Sequence, residues 1–345
     1  MAASETPPAG CGRLARPGAP GPAVLDLPQT QLANGDLTMM LIFVSLASAI
    51  AAQTPAPYPE DVTVTTLGDA AAVARLERPG EVFHTEGFED ADALDAWYNF
   101  DASGSRPERT EVVLDNGEAR SGRGSLRLAT ADKDGESSGA GAHYWFHPGH
   151  DVVYFRRYIR FAEDYDQGNL NHVGGSLYAV AGDDRWAEMG KAGLKPDGDD
   201  RFGARLEPWR DWGRNDPPGA MMLYTYWMDM KPDRSGPYYG NNLMPPKERR
   251  IVLERGRWYC LEHMIRANTP GQADGEMAAW IDGALYIHLT GFRWRTAPDV
   301  RLKRVALDVY VHSSERVNTV WYDDVALSTG YIGPIEDPTS ERDSP

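Results

Sequence analysis

The stretch from residue 276 to 289 constrains the fold more than any other. Residues 276–281, the pair Asp282-Gly283 and residues 284–289 spell two apolar-rich strands joined by a two-residue turn. Asp-Gly accepts positive φ at both central turn positions, which suits right-handed strand twist, so a tight antiparallel hairpin is predicted. The segments around it keep the same period. Residues 258–266 read as a strand, and 321–328 close the series. Between them Val305, Leu307, Val309 and Val311 alternate with Ala306, Asp308, Tyr310 and His312. The chain has no long amphipathic helix to build a crossover between parallel strands. An all-β chain is therefore predicted: an antiparallel β-sandwich or jelly roll, with one concave and one convex sheet.

Upstream, strand and turn signals recur. Residues 112–114 and 125–129 flank Asn116-Gly117 and Gly122-Arg123-Gly124, and 142–146 and 152–161 follow. In 152–161, Phe155, Arg157, Ile159 and Phe161 share a face that reads as buried despite its arginine. Tyr154, Arg156, Tyr158 and Arg160 share the other, which is either a solvated sheet face or the lining of a polar groove. Arg156 and Tyr158 are the candidate substrate contacts there. Gly174-Gly175 permits positive φ or close backbone approach. An arginine-rich segment, 201–214, carries Gly203, Arg205 and Glu207 on one side of a strand. Residues 221–230 form the next strand, with Met222, Tyr224, Tyr226 and Met228 on one face and Leu223, Thr225 and Trp227 on the other. Packing alone explains such a strand, but two phenols on one face, with arginines nearby in sequence, also suit a binding cleft. A long Pro/Gly/Tyr/Asn loop, 232–246, either serves the site or closes one end of the sandwich.

The termini read differently. Residues 1–38 are rich in Gly, Pro and Ala without period, an unstructured extension or a start codon set too far upstream. The apolar run 39–52 is short for a membrane span and suits a signal-peptide core, with Ala49 and Ala51 as a cleavage pattern, although no basic residue precedes it closely. Residues 53–80 then form a linker with a short helix over 69–76, 81–332 the folded domain, and 333–345 a flexible tail. A secreted or periplasmic monomer without stable membrane association is expected. Cys11 falls before the mature start, so Cys260 is expected to be a buried free thiol. The formal net charge of −16 excludes a general nucleic-acid binder.

Familiar catalytic signatures are missing: no phosphate loop, no HExxH, no cysteine zinc pattern and no serine elbow. His143, His147 and His150 lack a further metal ligand, and Asp323 and Asp324 point to opposite faces unless the backbone is irregular. No metal or cofactor is expected. Glu262, Glu276 and Asp308 are the best carboxylates for a glycoside hydrolase, in an acid-rich chain where such pairs arise readily. The tyrosine strand supports another chemistry. β-Elimination from a uronate needs the carboxylate neutralised, a base for the C5 proton and an acid for the leaving oxygen. Arginine pairs with carboxylates in bidentate fashion. Tyrosines two residues apart lie about 7 Å from each other along a strand. Arg205, one strand earlier, reaches the same cleft.

Several segments resemble the jelly-roll polysaccharide lyases of the alginate and glucuronan lyase type. They are Gly256-Arg-Trp-Tyr-Cys-Leu-Glu262, Arg266-Ala-Asn-Thr-Pro-Gly271, Trp280-Ile-Asp-Gly283 and Trp321-Tyr-Asp-Asp-Val-Ala-Leu-Ser328. The resemblance covers residues 81–332. It implies a concanavalin-like sandwich whose concave sheet binds an acidic polysaccharide and cleaves it by metal-independent elimination. Tyr224-Thr-Tyr226 resembles the family's Tyr-x-Tyr. Gly203-Ala-Arg205 is similar to its Ser-x-Arg with Gly for Ser, and Gly174-Gly-Ser-Leu177 to its Gly-Gly-Lys-Leu with Ser176 for the lysine. The resemblance thus implies Arg205 on the carboxylate, Tyr224 and Tyr226 in acid–base roles, and Ser176 at a substrate-binding position that has lost its charge. His172, in the same loop, is the best replacement as neutraliser or base, and Lys191 a further substrate contact. The alternatives are a non-catalytic carbohydrate-binding module and a laminarinase-like hydrolase.

Overall fold

The computed structural model describes residues 63–64, 70–98, 109–168 and 170–335. The extension, the signal core and Cys11 lie outside the described residues, as do most of the linker before residue 70 and the tail after 335. The strands form two antiparallel sheets. The first has nine strands, ordered β1 (Thr63–Val64), β14 (Ala284–Phe292), β13 (Gly275–Ile281), β12 (Trp258–Arg266), β6 (Val152–Phe161), β16 (Thr319–Ser328), β4 (Ser125–Ala129) and β3 (Thr110–Val113), with β2 (Val82–Glu86) also paired to β16. The second has seven, ordered β11 (Asn241–Leu243), β10 (Ala220–Tyr226), β9 (Arg201–Trp209), β8 (Ser176–Val180), β15 (Arg301–Val311) and β5 (Ser138–His150), with β7 (Asn171–Val173) also on β15. This is an antiparallel β-sandwich of the jelly-roll kind.

The hairpin read from Asp282-Gly283 is present. Ile281 pairs with Ala284, and the two turn residues have φ of 49° and 78°. Period 2 also assigns the faces correctly. Phe155, Ile159 and Phe161 of β6 share a core with Phe202, Ala204 and Leu206 of β9, Leu223 of β10, and Val305, Leu307 and Val309 of β15. The helix α1 (Ala70–Leu76) falls within the 69–76 expected.

Arg157 is the exception inside that core, with no exposed surface. Its guanidinium donates to the carbonyls of Phe155 and Leu261 in the first sheet and of Gly174 and Leu206 near the second. It also donates to His263 Nδ1 at 2.8 Å. Burial lowers the Arg157 pKa to about 9, which leaves it charged at neutrality. Burial and then Arg157 hold His263 well below its ordinary value, so the ring is neutral and free to accept. A second tie is Tyr322 of β16, whose hydroxyl donates to the Asp308 carbonyl and accepts from Gly174 N–H. Both ties converge on Gly174-Gly175, at φ of 108° and 98°. A Cβ on Gly174 would stand 2.5 Å from the Leu206 oxygen, so this turn accepts only glycine.

Glu262 anchors the segment after β16. Its carboxylate accepts from Ile332 N–H and Gly333 N–H, and the Tyr158 hydroxyl accepts from Ile335 N–H. Residues 333–335 are therefore held, although the sequence suggested a flexible tail from 333. Arg156 donates to the carbonyls of Asp324 and Gly333. This corrects the groove reading of β6. Arg156 and Tyr158 lie on the outer face of the first sheet, under the C-terminal segment, and contribute nothing to a cleft on the second. Cys260 is a buried free thiol, pushed up to about 12 by burial.

Arg157→Met removes every donor of the buried tie and strands its acceptors, each loss being costly in a dry core. We expect destabilisation on the order of 3 kcal/mol or more, measured by urea unfolding. A second expectation concerns pH. Burial raises Glu262 to about 7, and burial with neighbouring Asp324 raises Asp323 to about 7. Between their ordinary values and about 7 the unfolded chain loses protons that the folded chain keeps, so stability falls as pH rises through this window. The share of the melting temperature carried by these two acids should therefore fall between pH 5 and pH 7.5, read as the difference between parent and variant, because buried histidines such as His143 and His263, held below their ordinary value, contribute with the opposite sign. Glu262→Gln should remove part of that slope, and Glu262→Gln with Asp323→Asn most of it.

Candidate active site

Strand register gathers the site on the outward face of the second sheet. Tyr224 of β10 stands opposite Arg205 of β9, which stands opposite Ser176 of β8. Ser176 faces Ala306 of β15, and Ala306 faces His143 of β5. The next row runs Tyr226, Gly203, Tyr178 and Arg304. Above these rows the 183–194 loop brings Glu188 and Lys191. Between the rows and the loop lies a cavity of about 260 Å³ lined by Tyr224, Tyr226, His172, Lys191 and Arg205, with Tyr178, Glu188 and Arg304. Four residues singled out as catalytic, and Lys191, thus meet at one opening.

Charge within the cavity is largely paired. Arg205 makes a close ion pair with Asp308, and its Nε lies 3.4 Å from Glu207. Burial opposes its charge, but Asp308, Tyr178 and Glu207 outweigh that and raise its pKa. Arg205, expected as the carboxylate clamp, thus lines the cavity with its guanidinium already paired to two acids. Glu207 is fully buried and also accepts from His172 Nδ1, at 3.2 Å, and from Val173 N–H. With Nδ1 as donor, Nε2 is the accepting nitrogen of the His172 ring. Arg304 pairs with Glu188 and donates to His143 Nδ1 at 3.2 Å, and Arg201 pairs with Asp200. Burial, then Arg304 and Arg205, keep His143 well below its ordinary value. Lys191 is different. Among the described residues its ammonium makes no ion pair, so it is the uncompensated cation of the cavity.

The tyrosines sit as period 2 requires. Their hydroxyls are 3.4 Å apart and their rings meet edge to face at 5.6 Å. Burial, then neighbouring Tyr226 and Glu207, push the Tyr224 phenol well up, so it is a protonated donor at neutrality. The Tyr224 ring rests on Gly240, where a Cβ would come within 2.5 Å of it. That contact gives the 232–246 loop a place in the site. His172 packs on the other side of Tyr224, with ring centroids 5.0 Å apart.

The departures from the family pattern are structural. Gly203 cannot carry the family's serine, because a Cβ there would lie 2.3 Å from the Tyr178 ring. Ser176 is fully buried and its Oγ has no hydrogen-bond partner among the described residues, so it is a floor residue and not a substrate contact. The hydrolase carboxylates separate: Glu262 and Glu276 lie on the first sheet, Asp308 on the second. Asp323 is occupied by the N–H groups of Arg120 and Ser121. His147 pairs with Asp183, His150 stacks on Phe83, and no cluster of three or more potential metal-ligating side chains occurs among the described residues. Sequence reading missed Tyr178 and Arg304 as cavity residues. Tyr178 was signalled by its period-2 relation to Ser176. Arg304 was hidden by a register irregularity between Leu302 and Arg304.

No family model and no curated relative matches the chain. Solved structures do match its fold. The alginate lyase Aly36B aligns over 80% of this chain and 99% of its own, at 16% identity and a TM-score of 0.51. The PL-14 alginate lyase from Aplysia kurodai aligns over 74% and 100%, at 13% identity and 0.55. Alginate lyase vAL-1 from Chlorella virus aligns over 72% and 99%, at 15% identity and 0.50. At such low identity the likeness is one of fold: this chain has the jelly-roll sandwich that these polysaccharide lyases have.

Proposed function

We propose that the protein is a polysaccharide lyase that cleaves a uronate-containing glycan by β-elimination. One observation carries this reading: two tyrosines, a carboxylate-oriented histidine and an unpaired lysine meet in a single cavity. Lys191 neutralises the uronate carboxylate and so acidifies the C5 proton. His172, oriented by buried Glu207, takes that proton at Nε2. The C5–H electrons form the C4=C5 double bond as the C4–O4 bond breaks, and the departing O4 receives a proton from Tyr226. Tyr224, held protonated, donates a hydrogen bond that steadies the Tyr226 oxygen as it gives up its proton, and the proton that His172 took from C5 returns to Tyr226 by way of solvent, which restores both groups. Arg205 acts through others, keeping Asp308 and Glu207 in place. Alginate and glucuronan are the substrate class, and a polymer of that size agrees with the exported location expected from residues 39–52.

A second reading, a non-catalytic glycan-binding module, is favoured by Ser176, buried where the family pattern has a lysine. Incubation with alginate and with polyglucuronate separates the two, read by the ultraviolet absorbance of the unsaturated product. We expect product, with Tyr226→Phe lowering kcat about 100-fold or more. Lys191→Ala should lower both kcat and kcat/KM, because the charge that holds the carboxylate also stabilises the negative charge that develops on it as the C5 proton leaves. Folded protein that binds polyuronate without forming product overturns the lyase reading and leaves the binding module.

A further inference from the structure

A second cavity, of about 420 Å³, opens on the outer face of the first sheet and has no part in the chemistry above. Its walls are firmly built. Leu76 of α1 packs with Tyr154, Met264, Ala278 and Trp280, the Tyr154 hydroxyl donates to the Leu76 carbonyl at 2.8 Å, and Trp280 Nε1 donates to Glu77 at 3.0 Å. Beyond the helix, the Arg78 carbonyl accepts from Tyr331 N–H, and Gly80 and Gly330 touch backbone to backbone.

The lining is cationic in a chain whose formal net charge is −16. Arg75, Arg78 and Arg266 face a single lining carboxylate, Glu276. That carboxylate is already taken, by Arg75 at 3.1 Å and by His288 Nε2 at 3.5 Å. Arg78 and Arg266 form no ion pair among the described residues, and Arg266 Nε is buried without an acceptor. Leaving a buried donor unmet is unfavourable, and a guanidinium fork is shaped for an oxyanion. The volume lies in the range of small-molecule sites and exceeds what one inorganic ion fills.

We propose that this cavity binds the carboxylate end of one acidic sugar unit, as a second glycan site on the sheet opposite the cleft. The presence of an oxyanion site stands independently; the choice of a uronate as occupant rests on the proposed substrate class. Hydrogen–deuterium exchange of the whole chain tests it, read over residues 70–80. Glucuronate should slow exchange there, and glucose should not. Arg78→Ala, on an exposed turn, and separately Arg266→Gln should each raise the glucuronate concentration needed about tenfold, while Lys191→Ala should not change it. Equal protection by inorganic sulfate would overturn the sugar assignment. No protection in the unaltered chain, equal protection by glucose, or protection unchanged in both arginine variants would overturn the site. Protection that persists in a protein forming no unsaturated product would retire only the lyase reading.

Discussion

A charged side chain at the centre of an apolar sandwich holds the site together. Arg157 has no carboxylate partner, and its donors go to four carbonyls and a neutral histidine. Burying a charge this way is costly, and the lowered pKa of the group records that cost. What the arrangement gains is placement. Two of the four carbonyls belong to Gly174 and Leu206, which flank Ser176 and Glu207 in sequence. Tyr322 fastens the same turn from β16 and reaches the Asp308 carbonyl as well. The inner tie therefore fixes the strands whose outer faces carry Arg205, Glu207 and Asp308.

From there the site is ordered by acids more than by bases. Glu207 and Asp308 hold His172 and Arg205, Glu188 holds Arg304, and Asp200 holds Arg201. Paired charges of this kind set geometry but offer little net field to an incoming anion. On the proposed reading, a polyuronate meeting this face finds, among the described residues of the cavity, one cation whose charge is not already matched. Lys191 reaches it from a loop and not from a strand of the sheet.

The fold was legible because period-2 alternation reports sheet faces directly. The Asp282-Gly283 hairpin, the buried face of β6 and the outward Tyr224 and Tyr226 all follow from it. The same rule failed where chemistry depends on which sheet a face belongs to. Arg156 and Tyr158 lie on an outer face as Tyr224 does, yet on the other sheet and under the C-terminal segment. Ser176 faces the cavity side and is nonetheless fully covered. Arg205 was placed correctly, but its partner Asp308 is 103 residues away, and no local pattern announces such a pair. Alternation gives direction; it does not give neighbours.

Ser176 and Gly203 then read as one arrangement. A lysine at 176 would stand between Arg205 and Ala306 in its row, with Arg304 in the next row, and all three cations would compete for the same acids. Serine removes that conflict at the price of an unpartnered hydroxyl. Tyr178, two residues on along the same face, leans over Gly203, where only a residue without Cβ leaves room, and the Arg304 guanidinium lies 5.0 Å from its ring. Arg304 in turn holds Glu188, three residues before Lys191. The strand that carries Ser176 is thus linked, through Tyr178, Arg304 and Glu188, to the loop that carries Lys191. On the proposed reading the cation needed for elimination comes from the loop above the sheet, and the contacts that steady this loop start from the strand that carries Ser176.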